Sequence, residues 1–498
     1  METRRPSSPL SRTTLAFVAI ALVSALFADL EVSTVHPWQE LGRLLHGVVT
    51  PDFYATDNLG GALAYTMAFA LLGVAFGNLF GFLLALLFFS RIVRTGCAFV
   101  RSVHELFWAL IFLQLFGLSP LTGILAIGIP YAGIIAKVYA EILEEADPAP
   151  LQAMPAGTGR VSAFIFVRLP DAWSHFTTYS MYRLECGLRS SAVLGFVGLP
   201  TLGFHLESAF SQGLYSEVSA LLILFYLIIA SMRLWMRRAL LPLYLVGAAA
   251  ILPWGLSFSA ANIWRFLTHD IVPHPLRTAS ADIGETVARL GEWLHVMLFD
   301  QALPGAAVTI QLTMIALVGA GLLTLMFFPL ISPLLLGRSA RTLGHTFLVV
   351  VRSTPEYILA YVLLQLWGPS MLPAIVALAL HNGGIIGHLI GRYTEAITLR
   401  VDACRGVRRY AYEILPRVYR QMLALLFYRW EVIMRETAIL GILGISTLGF
   451  YIDSAFADLR FDRAVFLILV TAMLNICVDI ISRRIRARLR LQTTMEHQ

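Results

Sequence analysis

Two stretches of the chain place arginine, glutamate and tyrosine inside long apolar surroundings. "YRLECGLRSSAVLGFVG" begins at Tyr182 and "YRWEVIMRETAILGILG" begins at Tyr428, and roughly half of their positions match. On a helix, Tyr182, Glu185 and Arg189 share one face, and a glutamate four residues before an arginine is well ordered for an ion pair. The second stretch repeats this spacing with Tyr428, Glu431 and Arg435.

Arginines this far inside an apolar helix predict a protein interior or a water-filled cavity around them, because exposing one to lipid costs about 2.5–3.5 kcal/mol. Two interpretations stay open: each arginine is paired with its own glutamate and holds helices together, or Arg189 and Arg435 line a pathway and attract an oxyanion. We count two arginines against one glutamate in each helix, which favours attraction of an anion. The candidate pathway residues are Arg189, Arg435, Glu185, Glu431, Tyr182, Tyr428, Arg183, Arg429, Gln114 and Gln365. For the two glutamines, an interhelical hydrogen bond is the alternative.

The composition indicates a membrane protein and excludes an ordinary ATP-binding loop. The 498 residues are 58% hydrophobic and 14% charged, whereas soluble proteins carry about 25% charged residues. Apolar runs of 18 or more residues recur along the chain, as in a polytopic membrane protein. A phosphate-binding P-loop needs Gly-Lys, but the only lysine, Lys137, follows Ala136. Any ATP chemistry therefore belongs to a partner.

Neither a metal site nor a disulfide framework is predicted. The four cysteines are far apart and lack C-x-x-C spacing, and no group of His, Asp and Glu has metal-ligand spacing. The basic C-terminal run "SRRIRARLR" is interpreted as a topological anchor, and we expect no nucleic-acid partner. The N-terminal apolar run is interpreted as an uncleaved first span.

Hydropathy predicts twelve spans. They lie near 13–30, 60–89, 98–117, 119–139, 173–198, 214–234, 240–260, 303–330, 345–368, 370–390, 420–446 and 463–482. Arginines cluster in every second loop. If both termini are cytoplasmic, all of these loops lie on the cytoplasmic side, as the positive-inside rule requires.

An internal duplication organises these spans. "RSVHELFWALIFLQLFG" from Arg101 aligns without gaps to "RSTPEYILAYVLLQLWG" from Arg352, and "TLGF" recurs at 201–204 and 447–450. Each half, 1–238 and 239–498, would hold six spans in the same orientation, with a pathway where the halves meet. The predicted fold class is an all-α polytopic membrane protein of about twelve transmembrane helices in two parallel six-helix repeats.

The polar loop 141–170 resembles the EAA loop of bacterial ABC importer permeases, and 392–416 is a shorter second copy. The matching residues are Gln152, Ala153, Gly157, Leu169 and Pro170 in the first loop, and Asp402, Ala403, Gly406, Leu415 and Pro416 in the second. With the "YR-x-E-x-x-x-R" helix and "VLGFVG", the chain resembles two phosphonate-type permeases of the type I importer fold, fused into one.

This resemblance implies the transmembrane subunit of an ATP-driven importer in the bacterial plasma membrane, with alternating access between its halves. Its expected cargo is phosphonate, phosphite, hypophosphite or phosphate. Its partners would be the lipid bilayer, two copies of a cytosolic ATPase that bind ATP and Mg, and an extracytoplasmic binding protein. The chain itself would hold no cofactor and catalyse no reaction. The shorter second loop predicts unequal ATPase contacts.

Two other functions stay open: a secondary transporter of parallel six-span repeats, and a membrane-embedded enzyme acting on phosphorylated lipid. The residues do not distinguish among the oxyanions, give no direct sign of import over export, and assign no role to His381 and Asn382.

Overall fold

The computed structural model describes residues 9–146, 149–155, 157–255, 259–278, 282–400, 402 and 404–491. Every regular element within these ranges is helical, which confirms the all-α prediction. A helix suits an apolar chain in a membrane because it satisfies its backbone N–H and C=O groups within one segment, where lipid offers no partner.

The α-helices are numbered along the chain. The first twelve are α1 (Pro9–Leu26), α2 (Pro37–Val49), α3 (Leu59–Leu86), α4 (Arg91–Ser102), α5 (Glu105–Phe116), α6 (Pro120–Glu145), α7 (Ala149–Gln152), α8 (Arg160–Ala163), α9 (Leu169–Val193), α10 (Leu202–Ser211), α11 (Tyr215–Trp235) and α12 (Leu241–Ile251). The others are α13 (Ala260–Arg265), α14 (His274–Arg277), α15 (Ile283–His295), α16 (Leu303–Phe327), α17 (Arg338–Ser353), α18 (Glu356–Trp367), α19 (Met371–Tyr393), α20 (Leu415–Leu440), α21 (Leu448–Ala457) and α22 (Phe461–Arg488).

Short helical segments of other types join several of these. The 3-10 segments are Leu194–Val197, Arg238–Leu240, Phe328–Leu330 and Thr394–Ala396, and the π segments are Phe164–Arg168, Phe266–Asp270, Val296–Ala302 and Arg409–Ile414. Pro170 and Pro416 each lie in the first turn of an α-helix directly after a π segment. A proline has no N–H to donate, and its ring crowds the preceding turn of a helix. The wider π turn before each proline accommodates that ring. The helical region ahead of Pro170 begins at Arg160, earlier than the predicted start near Trp173.

Two predicted spans, 98–117 and 345–368, are each broken by a sharp bend. The pairs α4–α5 and α17–α18 both bend by 93°. His104 and Pro355 sit at the breaks with extended backbone angles. The apolar parts, α5 and α18, have 12 residues each, or about 18 Å, which is short of a hydrocarbon core of about 30 Å. The prediction of continuous spans here is wrong.

The described helices make this a multi-pass membrane protein. Seven are long and apolar enough to cross a membrane, or up to ten if each bent pair is one span. The predicted span at 240–260 contains only the 11-residue α12. Twelve spans therefore stay a prediction.

The described residues form two compact units, 43–269 and a second that joins the residues up to 42 with those from 270 onward. These are called the 43–269 unit and the 270–491 unit. Helix α1 packs on α16 in the 270–491 unit, and α12 packs on α3 in the 43–269 unit. The compact units thus differ from the predicted halves, 1–238 and 239–498, because the first helix of each half packs with helices of the other half.

The repeated TLGF motif makes the same hydrogen bond in both units. The backbone N–H of Leu202 donates to Thr66 Oγ1 at 2.8 Å, and that of Leu448 donates to Thr309 Oγ1 at 3.0 Å. The first N–H groups of a helix have no partner within that helix, so a threonine from a neighbouring helix satisfies one of them. The duplication is therefore structural as well as sequential.

The glycine of this motif permits a close backbone crossing. A Cβ added to Gly203 would lie 1.7 Å from the Ala192 carbonyl oxygen, and one on Gly449 would lie 2.1 Å from that of Ala438. No side chain fits at either distance, so the motif needs glycine for packing.

Glycines also allow the two central helices of each unit, α3 and α6 or α16 and α19, to pack closely. The glycines lie on the first helix of the pair in one unit and on the second helix in the other. On α3, a Cβ added to any of three glycines would lie 2.8 Å from a β-carbon of α6: Gly73 meets Ile127, Gly77 meets Tyr131 and Gly81 meets Ile135. In the second unit the glycines are on α19, where Gly383 faces Leu323 and Gly387 faces Phe327 of α16. Small residues at helix crossings are typical of membrane bundles.

We predict that Gly203→Ala and Gly449→Ala each lower the thermal unfolding temperature of the purified chain in detergent. Overpacking of this kind costs about 1–3 kcal/mol. Gly247→Ala is the matched control, because a Cβ on Gly247 would meet nothing within 4 Å. Unchanged unfolding temperatures for the two motif variants would contradict the proposed crossing.

Candidate functional site

A buried polar network joins α5, α6 and α9 in the 43–269 unit. Ser190 Oγ donates to Glu105 Oε1 at 2.7 Å and lies 3.0 Å from the Tyr131 hydroxyl. His104 Nε2 is 4.0 Å from Glu105 Oε2. Hydrogen bonds to a carboxylate are stronger than neutral ones. Ser190 of α9 thus connects Glu105 of α5 with Tyr131 of α6.

Arg183 is enclosed by tyrosine rings. Its guanidinium carbon lies 5.4, 5.2 and 5.7 Å from the ring centres of Tyr131, Tyr179 and Tyr182, and its Nε donates to the Tyr179 hydroxyl at 2.8 Å. The faces of aromatic rings attract cations. Among the described residues, no carboxylate lies within 4 Å of this guanidinium. Its positive charge is therefore held in place without being cancelled by an acid.

The corresponding arginine of the 270–491 unit, Arg429, is instead paired with a carboxylate. Its Nε donates to Asn382 Oδ1 at 2.7 Å, and a terminal nitrogen lies 3.6 Å from Glu436 Oε1. Asn382 Nδ2 donates to Glu436 Oε2 at 3.1 Å. Helix α20 thus carries a second glutamate, Glu436, which is buried, and the count of one glutamate per helix is wrong for it. This assigns Asn382 a role that the sequence left open.

His381 joins a second part of this network. Its Nδ1 lies 2.8 Å from the Thr354 carbonyl oxygen, and its Nε2 lies 3.8 Å from Glu356 Oε2. One ligand atom each from Glu356, His381 and Glu436 lie within 4.8 Å of one another, a grouping that could hold a metal ion. Sequence spacing did not predict this grouping. The Glu436 oxygens already contact Arg429 and Asn382, so a metal would have to displace them.

The two networks occupy corresponding positions with different chemistry. In the alignments that pair Arg101 with Arg352 and Tyr182 with Tyr428, Tyr131 corresponds to Asn382 and Ser190 to Glu436. His104 corresponds to Pro355, and Pro130 corresponds to His381. Each half therefore has one histidine near the glutamate that begins α5 or α18. In the first half this is His104, directly before α5, and in the second half it is His381 on α19.

The structure does not form one of the predicted ion pairs. Glu185 and Arg189 are both part-buried, and Arg189 donates to Cys186 Sγ at 3.3 Å, with no Glu185–Arg189 pair in the described chain. Tyr182 and Tyr428 are about half exposed. The other predicted pathway residues with intermediate burial are Glu431, Arg435, Gln114 and Gln365. That Arg189 and Arg435 line a pathway stays a prediction.

The first predicted coupling segment, 141–170, is mostly exposed or part-buried in its described residues, and Leu143 is buried. Gln152 ends α7, and Ala153 follows it. Gly157 has a φ of +94° and open space around its Cα, so it is needed for its backbone conformation. Leu169 and Pro170 begin α9.

The second predicted segment has the same features. Gly406 has a φ of +63°, and Asp402 is exposed, while Ala403 lies outside the described residues. Arg409 donates to the Cys404 and Leu334 carbonyl oxygens at 2.7 and 2.9 Å. The Tyr410 hydroxyl donates to the Leu325 carbonyl oxygen at 3.1 Å, and burial raises the pKa of this hydroxyl, so it stays protonated. Leu415 and Pro416 begin α20.

Each segment also exposes a valine and an aromatic residue that the sequence comparison did not select. Val161 is 71% exposed and the corresponding Val407 is 82% exposed. Phe166 is 75% exposed and the corresponding Tyr412 is 81% exposed. The sequence already contained the pattern that could have indicated these residues: two apolar positions before the Leu-Pro pair that recur in both halves. Exposed apolar groups of this kind mark protein contact surfaces.

Known proteins resemble this chain in both halves. The family model described as binding-protein-dependent transport system inner membrane component matches residues 326–491. The phosphate-import permease protein PhnE of Mycolicibacterium smegmatis is 27% identical over 433 residues, covering 80% of this chain and 78% of the relative. No solved structure matches the chain.

Two shorter relatives match parts of the chain. The phosphite transport system permease protein PtxC of Stutzerimonas stutzeri is 27% identical over 43% of this chain and 82% of its own length. The cryptic phosphonate transport system permease protein PhnE2 of Escherichia coli is 30% identical over 20% of this chain and 83% of its own length.

We predict that Arg429→Gln strongly lowers the thermal unfolding temperature in detergent. Removing one partner of a buried ion pair costs about 3–5 kcal/mol, because Glu436 keeps its charge. Arg429→Gln with Glu436→Gln should recover much of that loss. Arg183→Gln, at the corresponding position without a carboxylate, is the control and should lose less. Equal losses in all three variants would show that the ion pair is not what stabilises the helix contact.

Proposed function

Because this chain belongs to the family of binding-protein-dependent transport system inner membrane components, we propose that it is the transmembrane permease of an ATP-driven importer for a phosphorus oxyanion. It would alternate access between its two related halves in the bacterial plasma membrane, with both termini in the cytoplasm. A separate extracytoplasmic binding protein would deliver the cargo, and two copies of a cytosolic ATPase would bind ATP and Mg.

The observation that carries this proposal is the pair of matched exposed segments before α9 and α20. Both have a glycine with positive φ, an exposed valine, an exposed aromatic ring and then Leu-Pro. Repeated surfaces of this kind suit two copies of one partner. Since the chain has a single lysine that does not follow a glycine, the partner would supply the ATP site.

The cargo class is supported by the relatives and by Arg183. The printed names of the relatives refer to phosphate, phosphite and phosphonate. Arg183 offers planar donors of the geometry that oxyanions accept, and no described carboxylate neutralises it. We assign the main anion contact to Arg183. Arg189 and Arg435 stay candidates for the same pathway.

We predict that Phe166→Ala and Tyr412→Ala each weaken co-purification with the ATPase tenfold or more, as expected for a buried aromatic anchor at an interface. Tyr54→Ala is the control, since Tyr54 is 97% exposed and lies outside both segments. Losses of different size would support unequal coupling by the two halves. Undiminished co-purification in both variants would remove the coupling assignment and favour a secondary transporter.

We predict that Arg183→Gln abolishes uptake while the variant keeps most of its thermal stability and its ATPase partner. Arg183→Lys should keep part of the uptake, because it retains the charge but loses the planar donors. Uptake would be measured with labelled phosphate, phosphite and methylphosphonate in cells lacking other importers, with Arg189→Gln measured in parallel. Normal uptake by Arg183→Gln would assign the anion contact elsewhere.

A further inference from the structure

A basic pocket lies between the start of α17 and the end of α19 in the 270–491 unit. It is a cavity of about 320 Å³ lined by Ile331, Arg338, Arg341, Thr342, His345, Arg392 and Glu395. This volume falls within the range of small-ligand sites, about 300–1,000 Å³. Three arginines against one glutamate give the lining a net charge of +2 with the histidine neutral.

The cations of this pocket are not neutralised by the protein. Within the described ranges, Arg338, Arg341 and Arg392 form no ion pair within 4 Å. The Nε of Arg341 is shielded from solvent and has no hydrogen-bond acceptor in that part of the chain. A buried guanidinium N–H without an acceptor costs free energy, so this group is suited to an external acceptor.

The backbone adds to this attraction. Arg338 is the first residue of α17, a helix of 16 residues, and its N-cap residue Gly337 has no side chain to accept from the first N–H groups. The N-terminus of a helix carries a partial positive charge and free N–H donors. Arginine side chains and a helix start therefore converge on one cavity.

The corresponding place in the 43–269 unit carries no such surplus. Arg392 corresponds to Glu141 and His388 to Lys137, and Lys137 Nζ lies 3.8 Å from Glu141 Oε1. Arg338 and Arg341 correspond to Leu87 and Ser90. Thr342 and His345 correspond to Arg91 and Arg94, and Glu395 corresponds to Glu144. The first half therefore balances two arginines with two glutamates at these positions, and the surplus of positive charge belongs to the second half.

We propose that the basic pocket binds a phosphate group, supplied by an anionic lipid headgroup or by free phosphate. Arginines hold phosphate oxygens through paired N–H donors, and basic pockets between membrane helices bind anionic headgroups. Arg341 and Arg392 would contact the phosphate from the two helices. Glu395, an exposed residue of the lining, limits the net charge and so favours a small anion over a polyanion.

The position of the pocket suggests that its occupancy affects the contact with the ATPase, an inference that rests on the proposed function. Arg392 and Glu395 begin the segment 392–416 that we assign to ATPase contact. A phosphate bound between α17 and α19 would brace the start of that segment. Occupancy would then change the ATPase rate, whereas binding itself does not depend on the transport assignment.

The test measures thermal stabilisation of the full-length chain in detergent. One series adds inorganic phosphate at constant ionic strength, with chloride as the control, and another adds short-chain phosphatidic acid or phosphatidylglycerol, with phosphatidylcholine as the control. We expect saturable stabilisation by at least one of these probes. Arg341→Gln with Arg392→Gln should raise the half-saturating concentration tenfold or more, and the double lysine variant should raise it less.

Arg91→Gln is the matched variant, because Arg91 is an exposed arginine at the first turn of α4. It should bind as the unmodified chain does. Stabilisation by phosphate alone identifies a soluble ligand, and stabilisation by anionic lipid alone identifies a headgroup. Absence of stabilisation by either, or equal stabilisation of the double glutamine variant, overturns the proposal. Binding without any change in ATPase rate would leave the pocket in place and remove only its role in coupling.

Discussion

A charge inside a membrane bundle needs a partner from the protein, because lipid supplies none. In this chain that constraint joins neighbouring helices. Arg429 reaches Asn382 and Glu436 from α20 to α19, while Arg183 reaches the ring of Tyr131 from α9 to α6. Glycines on α3 and α19 bring a neighbouring helix close to each of these contacts, in the pairs α3–α6 and α16–α19. Arg183 is held without a carboxylate, which is why we propose it as the contact for an anion.

Sequence repeats within one chain allow each half to keep the same backbone contacts while its buried side chains differ. The hydrogen bonds of the TLGF motif and the 93° bends are the same in both. Tyr131 and Ser190 in one half correspond to Asn382 and Glu436 in the other, so two hydroxyl groups are replaced by an amide and a second carboxylate. Two identical subunits could not differ in this way. The chain therefore has different buried side chains at corresponding positions of its two repeated parts.

Much of the fold could be predicted from the sequence, because long apolar runs and repeated motifs are local signals. The contacts of Asn382 were not predictable, since its partner Arg429 lies on another helix and no spacing rule connects them. Glu436 was missed because its counterpart is Ser190, and a search for shared residues passes over it. The bends at His104 and Pro355 were missed because hydropathy measures only how apolar a segment is. It does not indicate where the helix axis changes direction. The packing of α1 on α16 likewise depends on tertiary contacts.

The family assignment and the exposed segments before α9 and α20 together support the proposed permease driven by a separate ATPase. The most direct test reconstitutes the chain, its ATPase and its binding protein in proteoliposomes and measures accumulation of labelled phosphite, phosphate and methylphosphonate. The account predicts accumulation of at least one of them only when ATP is on the ATPase side and the binding protein is on the other. Accumulation driven by an ion gradient, without ATPase or ATP, would contradict it.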